Sequence, residues 1–165
     1  VYPQNGRLKY TIENKTGEEK ILKLRIPSWC ENWNCTVSND QTYAVSNDFI
    51  NIDIGEGETV IEVNFEMEVV AQAAVIDGET YHDFHYGPLL LVHDRHNGTM
   101  LKESRYDAAN AITQEILEWN RWDGSEEGSW YLVQFTTGNL NLVDYASAGR
   151  ADPEKDLFKT YIRGI

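Results

Sequence analysis

The chain carries four histidines, two cysteines and five tryptophans, and its chemistry has to be sought there first. Tyr81-His82-Asp83-Phe84-His85-Tyr86 is the richest segment. On a strand, residues three apart point to opposite faces, so His82 and His85 cannot share a metal ion without a bulge. His93 and His96, also three apart, have the same parity problem, so packing or surface roles are expected for all four. Cys30 and Cys35 are too few for a disulfide scaffold or a four-cysteine zinc site, and their spacing allows either a local bridge or two free thiols. No Gly-x-Ser-x-Gly elbow, His-Glu-x-x-His helix or glycine-rich phosphate loop occurs. A glycosidase carboxylate pair is defined by distance in space, which spacing along 27 acidic residues does not supply. The residues therefore assign no catalytic group, no metal ligand and no cofactor to this chain.

The tryptophans say more. Trp119, Trp122 and Trp130 flank the acidic loop Asp123-Gly124-Ser125-Glu126-Glu127-Gly128. A flat indole stacks on the CH groups of a sugar while carboxylates and amides accept its hydroxyls. Trp119 and Trp122 are accordingly candidate carbohydrate-binding residues for a plant-type oligosaccharide, against the plainer reading that these rings cap a sandwich core. Trp29 and Trp33 are expected to pack. Ser38-Asn39-Asp40 and Ser46-Asn47-Asp48 read as turn punctuation at strand ends, because their spacing does not fit an EF-hand. Asn14-Lys15-Thr16, Asn34-Cys35-Thr36 and Asn97-Gly98-Thr99 match the glycosylation triplet, but such triplets recur by chance and are discounted.

The elements that must position these residues are short strands. With 165 residues and 18.9 kDa the chain forms one large domain or two small ones. Its net charge of −13 and pI near 4.6 argue against nucleic acid and against an anionic membrane surface. A hydrophobic content of 41% argues against a disordered acidic tail. The apolar run Leu89–Val92 is far too short to span a bilayer. No charged segment followed by an apolar one marks a signal peptide, and a start at Val1 suggests a trimmed chain. Bacterial cytoplasm, periplasm and secretion all stay open.

Period-two alternation predicts strands at 7–13, 20–26, 49–54 and 59–65, each with one buried and one wet face. The turn Asn14-Lys15-Thr16-Gly17 predicts a hairpin between the first two, and Gly55-Glu56-Gly57 another between the last two. Strand texture continues at 81–86, at the doubly buried run 89–92, and at 113–119, 130–136, 140–145 and 157–162. Only 108–112 hints at a helical turn. The pattern predicts an all-β fold, an antiparallel β-sandwich or jelly roll with little helix. No Pro- or Ser-rich linker interrupts it, so residues 1–165 are expected to share one core, with lobes at 1–94 and 95–165 as the alternative.

One segment is distinctive. Lys23-Leu24-Arg25-Ile26-Pro27-Ser28-Trp29-Cys30 resembles the LRIPSWC segment of the family long called domain of unknown function 1680, the β-L-arabinofuranosidase glycoside hydrolases of family 127. Further likenesses keep that family's order: Val1-Tyr2-Pro3 with Gly6, Gly55 to Val60, Tyr86-Gly87-Pro88-Leu89-Leu90, and Leu142 to Gly149. Gln4 stands where the family has Trp, and Tyr86 where it has Arg, which puts the substrate in doubt. The resemblance implies a C-terminal β-sandwich region that follows an N-terminal catalytic (α/α) barrel. It implies that a zinc-bound cysteine near a Cys-Cys-Pro-Pro segment, with glutamate partners, does the chemistry in the barrel. This chain lacks that segment, so no catalytic role passes to Cys30 or Cys35. The implied function is a non-catalytic accessory domain that braces the barrel, shapes its cleft and offers a homodimer contact. The alternative is a free-standing carbohydrate-binding module.

Overall fold

The computed structural model describes residues 2–38, 42–94, 104–115, 131–148 and 158–165. It divides into two compact units, Val1–Met67 and Glu68–Ile165. Every regular element among the described residues is a strand, as the alternating texture predicts. The position 94/95 falls inside the second unit, at the end of a strand.

The first unit holds β1 (Arg7–Asn14), β2 (Lys20–Arg25), β3 (Trp33–Val37), β4 (Tyr43–Ser46), β5 (Phe49–Ile54) and β6 (Gly57–Phe65). They form two antiparallel three-stranded sheets, ordered β1-β6-β3 and β2-β5-β4. Alternation turns Ile50, Ile52 and Ile54 of one sheet and Ile61, Val63 and Phe65 of the other into a single apolar cluster with Cys30 and Cys35. The unit is thus a small two-layer sandwich. Each fully buried aliphatic side chain stabilises it by roughly 2 kcal/mol.

Two predicted hairpins are corrected. β1 pairs with β6 and β2 with β5, so the turns after Asn14 and after Ile54 cross from one sheet to the other. Alternation shows which face is wet but not which strand is the neighbour. Asn14 binds the two crossings together. Its Nδ2 donates to the Glu18 carbonyl at 2.8 Å and to the Ile54 carbonyl at 3.2 Å, while its Oδ1 accepts from the Thr16 N–H and hydroxyl. Ser46-Asn47-Asp48 is punctuation, as expected. Asn47 and Asp48 have φ of 50° and 62°, the left-handed pair that a type I′ hairpin between β4 and β5 requires.

The second unit holds β7 (Val69–Ile76), β8 (Glu79–Tyr86), β9 (Leu89–Asp94), β10 (Arg105–Tyr106), β11 (Thr113–Gln114), β12 (Gln134–Thr137), β13 (Leu140–Asp144), β14 (Phe158–Lys159) and β15 (Ile162–Gly164). They join one nine-stranded sheet, ordered β10-β15-β8-β9-β13-β12-β11, with β7 on β8 and β14 on β9. β8 and β9 pair over 84–86 and 89–91, then diverge. Beyond that point β8 takes β15 as neighbour and β9 takes β14. Phe84, Leu91, Leu142 and Ile162 are fully buried on one face. Tyr106 closes edge to face on Phe84, with ring centroids at 4.9 Å. The run 89–92 lies in a strand whose residues 91–94 are all buried, in keeping with burial on both faces. The hinted helical turn at 108–112 is a single turn, in which the Asn110 N–H donates to the Asp107 carbonyl at 3.0 Å.

Candidate functional site

The central strands of the second unit bring together the chain's most polar interior. β13 lies antiparallel to β9 with Leu142 opposite His93 and Asp144 opposite Leu91. Both strands end on buried charge-bearing side chains, Asp94 at 2% exposure and Asp144 at 1%. Burying a carboxylate is costly unless hydrogen bonds replace its water; they do so at one oxygen of Asp144, while its Oδ2 is buried without a partner. Asp144 Oδ1 accepts from the main-chain N–H of Leu132 at 2.6 Å and of Val133 at 3.2 Å. The Asp144 carbonyl accepts from the Ser147 and Ala148 N–H groups and so shapes the turn after β13. The Tyr131 hydroxyl donates to Asp94 Oδ2 at 3.2 Å, and its ring covers Val92 and Val143.

His93 is fully buried between these strands. Its Nδ1 lies 3.0 Å from the Asn141 carbonyl and 3.3 Å from the Asn141 N–H. The shorter contact suits a neutral ring that donates from Nδ1 and leaves Nε2 as a buried acceptor without a partner. Burial, with the Lys159 ammonium, lowers its pKa, against the opposing pull of the Asn141 carbonyl and Asp94. This cluster positions backbone. Among the described residues it contains no nucleophile beside a base.

The strand-parity reading of the histidines agrees with the geometry. His82 meets the Tyr106 ring at 4.8 Å, whereas His85 Nε2 lies 3.1 Å from Asp83 Oδ2. His96 lies outside the described residues. Cys30 and Cys35 are free and buried, which closes the choice between bridge and thiols. Burial pushes both pKa values up, the wrong direction for a nucleophile. The described residues do not fit a zinc site. The Cys30 thiol donates to the Asn32 carbonyl at 3.0 Å, Cys35 sits in an apolar cluster, and no three His, Cys, Asp or Glu gather.

The carbohydrate candidates Trp119 and Trp122, with Trp130, lie outside the described residues. Trp29 and Trp33 pack as expected, Trp29 edge-on to Phe65 and Trp33 tilted against Tyr43, each with centroids at 6.1 Å. An aromatic pair without tryptophan is formed by Tyr145 and Phe158, 51% and 37% exposed and meeting edge to face at 5.4 Å. Its signal was weak because β14 contributes only two residues.

The motif residues prove to be structural. A Cβ on Gly6 would lie 1.7 Å from the Phe65 carbonyl oxygen, so only glycine lets the first segment close on β6. Pro27 to Cys30 form a turn in which the Cys30 N–H donates to the Pro27 carbonyl. Tyr86, in place of the family's Arg, is buried against Phe135.

Comparison with known proteins agrees with these motifs. Residues 1–67 match the family described as the middle domain of GH127 β-L-arabinofuranosidase. No curated protein matches the sequence. Three solved structures share the fold over 99% of this chain. One is described as a glycoside hydrolase, with 19% identity and a TM-score of 0.69. Another is a GH127 β-L-arabinofuranosidase from Geobacillus stearothermophilus, with 14% identity and a TM-score of 0.70. The third is a GH127 β-arabinofuranosidase, with 13% identity and a TM-score of 0.68. The chain spans 31%, 29% and 30% of their respective lengths. It therefore resembles the β-sandwich region of glycoside hydrolase family 127 proteins, in sequence over residues 1–67 and in fold over its whole length.

Proposed function

We propose that this chain is a non-catalytic accessory region of a larger β-L-arabinofuranosidase-like glycoside hydrolase. It braces a catalytic helical barrel and shapes one rim of the substrate cleft. The observation that carries the reading is the match of residues 1–67 to a GH127 middle domain, in a chain that spans about three-tenths of its structural relatives. The described side chains support it. The buried carboxylate of Asp144 holds main-chain N–H groups and that of Asp94 the Tyr131 hydroxyl, the thiols are buried, and rigid strands need no reactive groups to hold a neighbour's loops in place.

The test compares the longer polypeptide with a version from which this region is deleted. The expected result is a barrel with a lower melting temperature and a depressed kcat/KM toward a β-L-arabinofuranoside. Unchanged melting and turnover contradict the reading.

The exposed Tyr145–Phe158 pair favours a second reading, a carbohydrate-binding module, since an open aromatic face stacks on sugar CH groups. Calorimetric titration with plant-type oligosaccharides separates the two. Heat that disappears with Tyr145→Ala or Trp119→Ala and Trp122→Ala supports the module, and no heat removes it.

A further inference from the structure

The segment Tyr81 to Tyr86 is the richest in chemistry, and the cluster around Asp144 and His93 uses none of it. β8 turns Phe84 and Tyr86 into the core and His82 onto the Tyr106 ring. Glu79, Tyr81, Asp83 and His85 therefore share the opposite face, and all four stay partly open to solvent. The register carries that face across the sheet. Arg105 of β10 lies opposite Arg163 of β15, Arg163 opposite Tyr81, and Tyr81 opposite Ala74 of β7. This makes one row, Arg105, Arg163, Tyr81 and Ala74, with about 4.8 Å between strands. In the next row Asp83 lies opposite Gln72.

Side chains opposite one another in a ladder face the same way, and like charges so placed repel. Glu79 pairs with Arg163. Among the described residues no carboxylate pairs with Arg105, in a chain with 27 acidic residues to 14 basic ones. A guanidinium presents five N–H donors, so the two arginines keep donors for a further anion. The Tyr81 ring adjoins them with only alanine on its other side. Asp83 Oδ2 lies 3.1 Å from His85 Nε2, which orients the imidazole and leaves its Nδ1 for another partner.

We propose that this face binds a uronic acid residue of a glycan. Arg105 and Arg163 hold its carboxylate, the Tyr81 ring stacks on its CH groups, and Asp83 with His85 takes its hydroxyls. The two rows lie about 7 Å apart along β8, the scale of one sugar ring with its substituents. A phosphate also matches a guanidinium fork, but Glu79 and Asp83 stand beside the arginines and repel a dianion more strongly than a monoanion. The net charge of −13 acts in the same sense against polyanions, so the ligand carries one acidic residue among neutral sugars. The inference stands apart from the accessory reading, since an accessory region and a free-standing module would both keep this face.

Calorimetric titration of the 165-residue chain with an aldobiouronic acid, one uronic acid linked to one neutral sugar, tests it. The controls are the same disaccharide with its carboxylate reduced to the alcohol, and inorganic phosphate. The expected result is saturable heat with the acid, binding weaker by roughly tenfold or more with the reduced sugar, and no saturable heat with phosphate. Arg105 sits on an exposed strand at the end of the sheet. Arg105→Ala should therefore weaken binding of the acid by a similar factor without altering the circular dichroism spectrum. Arg105→Lys, which keeps the charge but not the fork, should restore part of the loss. His85→Ala should weaken the acid and the reduced sugar alike, because it meets hydroxyls. No heat with the acid, equal affinity for acid and reduced sugar, binding indifferent to Arg105→Ala, or phosphate held as tightly as the acid overturns the proposal.

Discussion

The two units solve the problem of a small β core differently. In the first, two three-stranded sheets enclose isoleucine, valine, phenylalanine and two thiols, and the buried polar side chains are Asn14 and Thr59. In the second, one nine-stranded sheet buries His93, Asp94, Ser104, Thr137, Asp144 and Ser147 alongside its apolar residues. The first is held by face-to-face burial, with Asn14 tying its corners. The second has strands of two to eight residues and uses the buried Asp144 carboxylate to hold the main chain at Leu132 and Val133. Its stability should therefore respond to charge and pH in ways the first unit's does not.

Core truncations give the largest expected effect and show whether the contrast is real. Ile52→Ala in the first unit and Leu142→Ala in the second, both fully buried, should each cost about 3 kcal/mol. Hydrogen exchange should quicken within 7–65 for the former and within 69–164 for the latter. Equal acceleration everywhere would erase the distinction between the units.

Polar ties come next. Asn14→Ala leaves the Ile54 and Glu18 carbonyls without their donor and should cost about 2 kcal/mol, read by urea denaturation. Asp144→Ala should cost a similar amount, about 2 kcal/mol, in the second unit, because two N–H groups lose their acceptor. Asp144→Asn, which retains an Oδ1 acceptor, should cost clearly less.

The pH response sharpens the comparison further. The folded pKa of His93 lies below its unfolded value near 6.5, so the unfolded chain binds the extra proton. Its contribution is complete above about pH 6.5 and is lost as pH falls toward the folded pKa. Thermal melts followed by exchange in the second unit should show this slope, and His93→Gln should flatten it. The smallest effect belongs to the first unit's surface. Lys9 and Glu62 lie 2.8 Å apart but are both exposed, and Lys9→Ala should leave the melting temperature unchanged within error.

The sequence made the first unit's strands readable because alternation is strict at β1, β2, β5 and β6, where every second residue faces an isoleucine-rich core. The connections were not readable. A turn such as Asn14-Lys15-Thr16-Gly17 suits a hairpin and a sheet-to-sheet crossing equally, and the Asn14 bond to Ile54 that decides between them spans 40 residues. β7 escaped notice for a different reason. It is apolar on both sides yet exposed, so it lacks the polar half of the pattern. In the site region, Asp144 lay inside a recognised motif, but its acceptor role depends on Leu132 and Val133 on another strand's approach. The LRIPSWC likeness carried family information because Leu24, Ile26, Trp29 and Cys30 all pack in one core, which constrains them together.

The central claim is that this chain supports chemistry performed elsewhere. Incubating the purified chain with a chromogenic β-L-arabinofuranoside tests it most directly. The account predicts release of chromophore no faster than in buffer, with or without added zinc. Sustained turnover approaching 1 s⁻¹, the low end of ordinary enzymes, would contradict it.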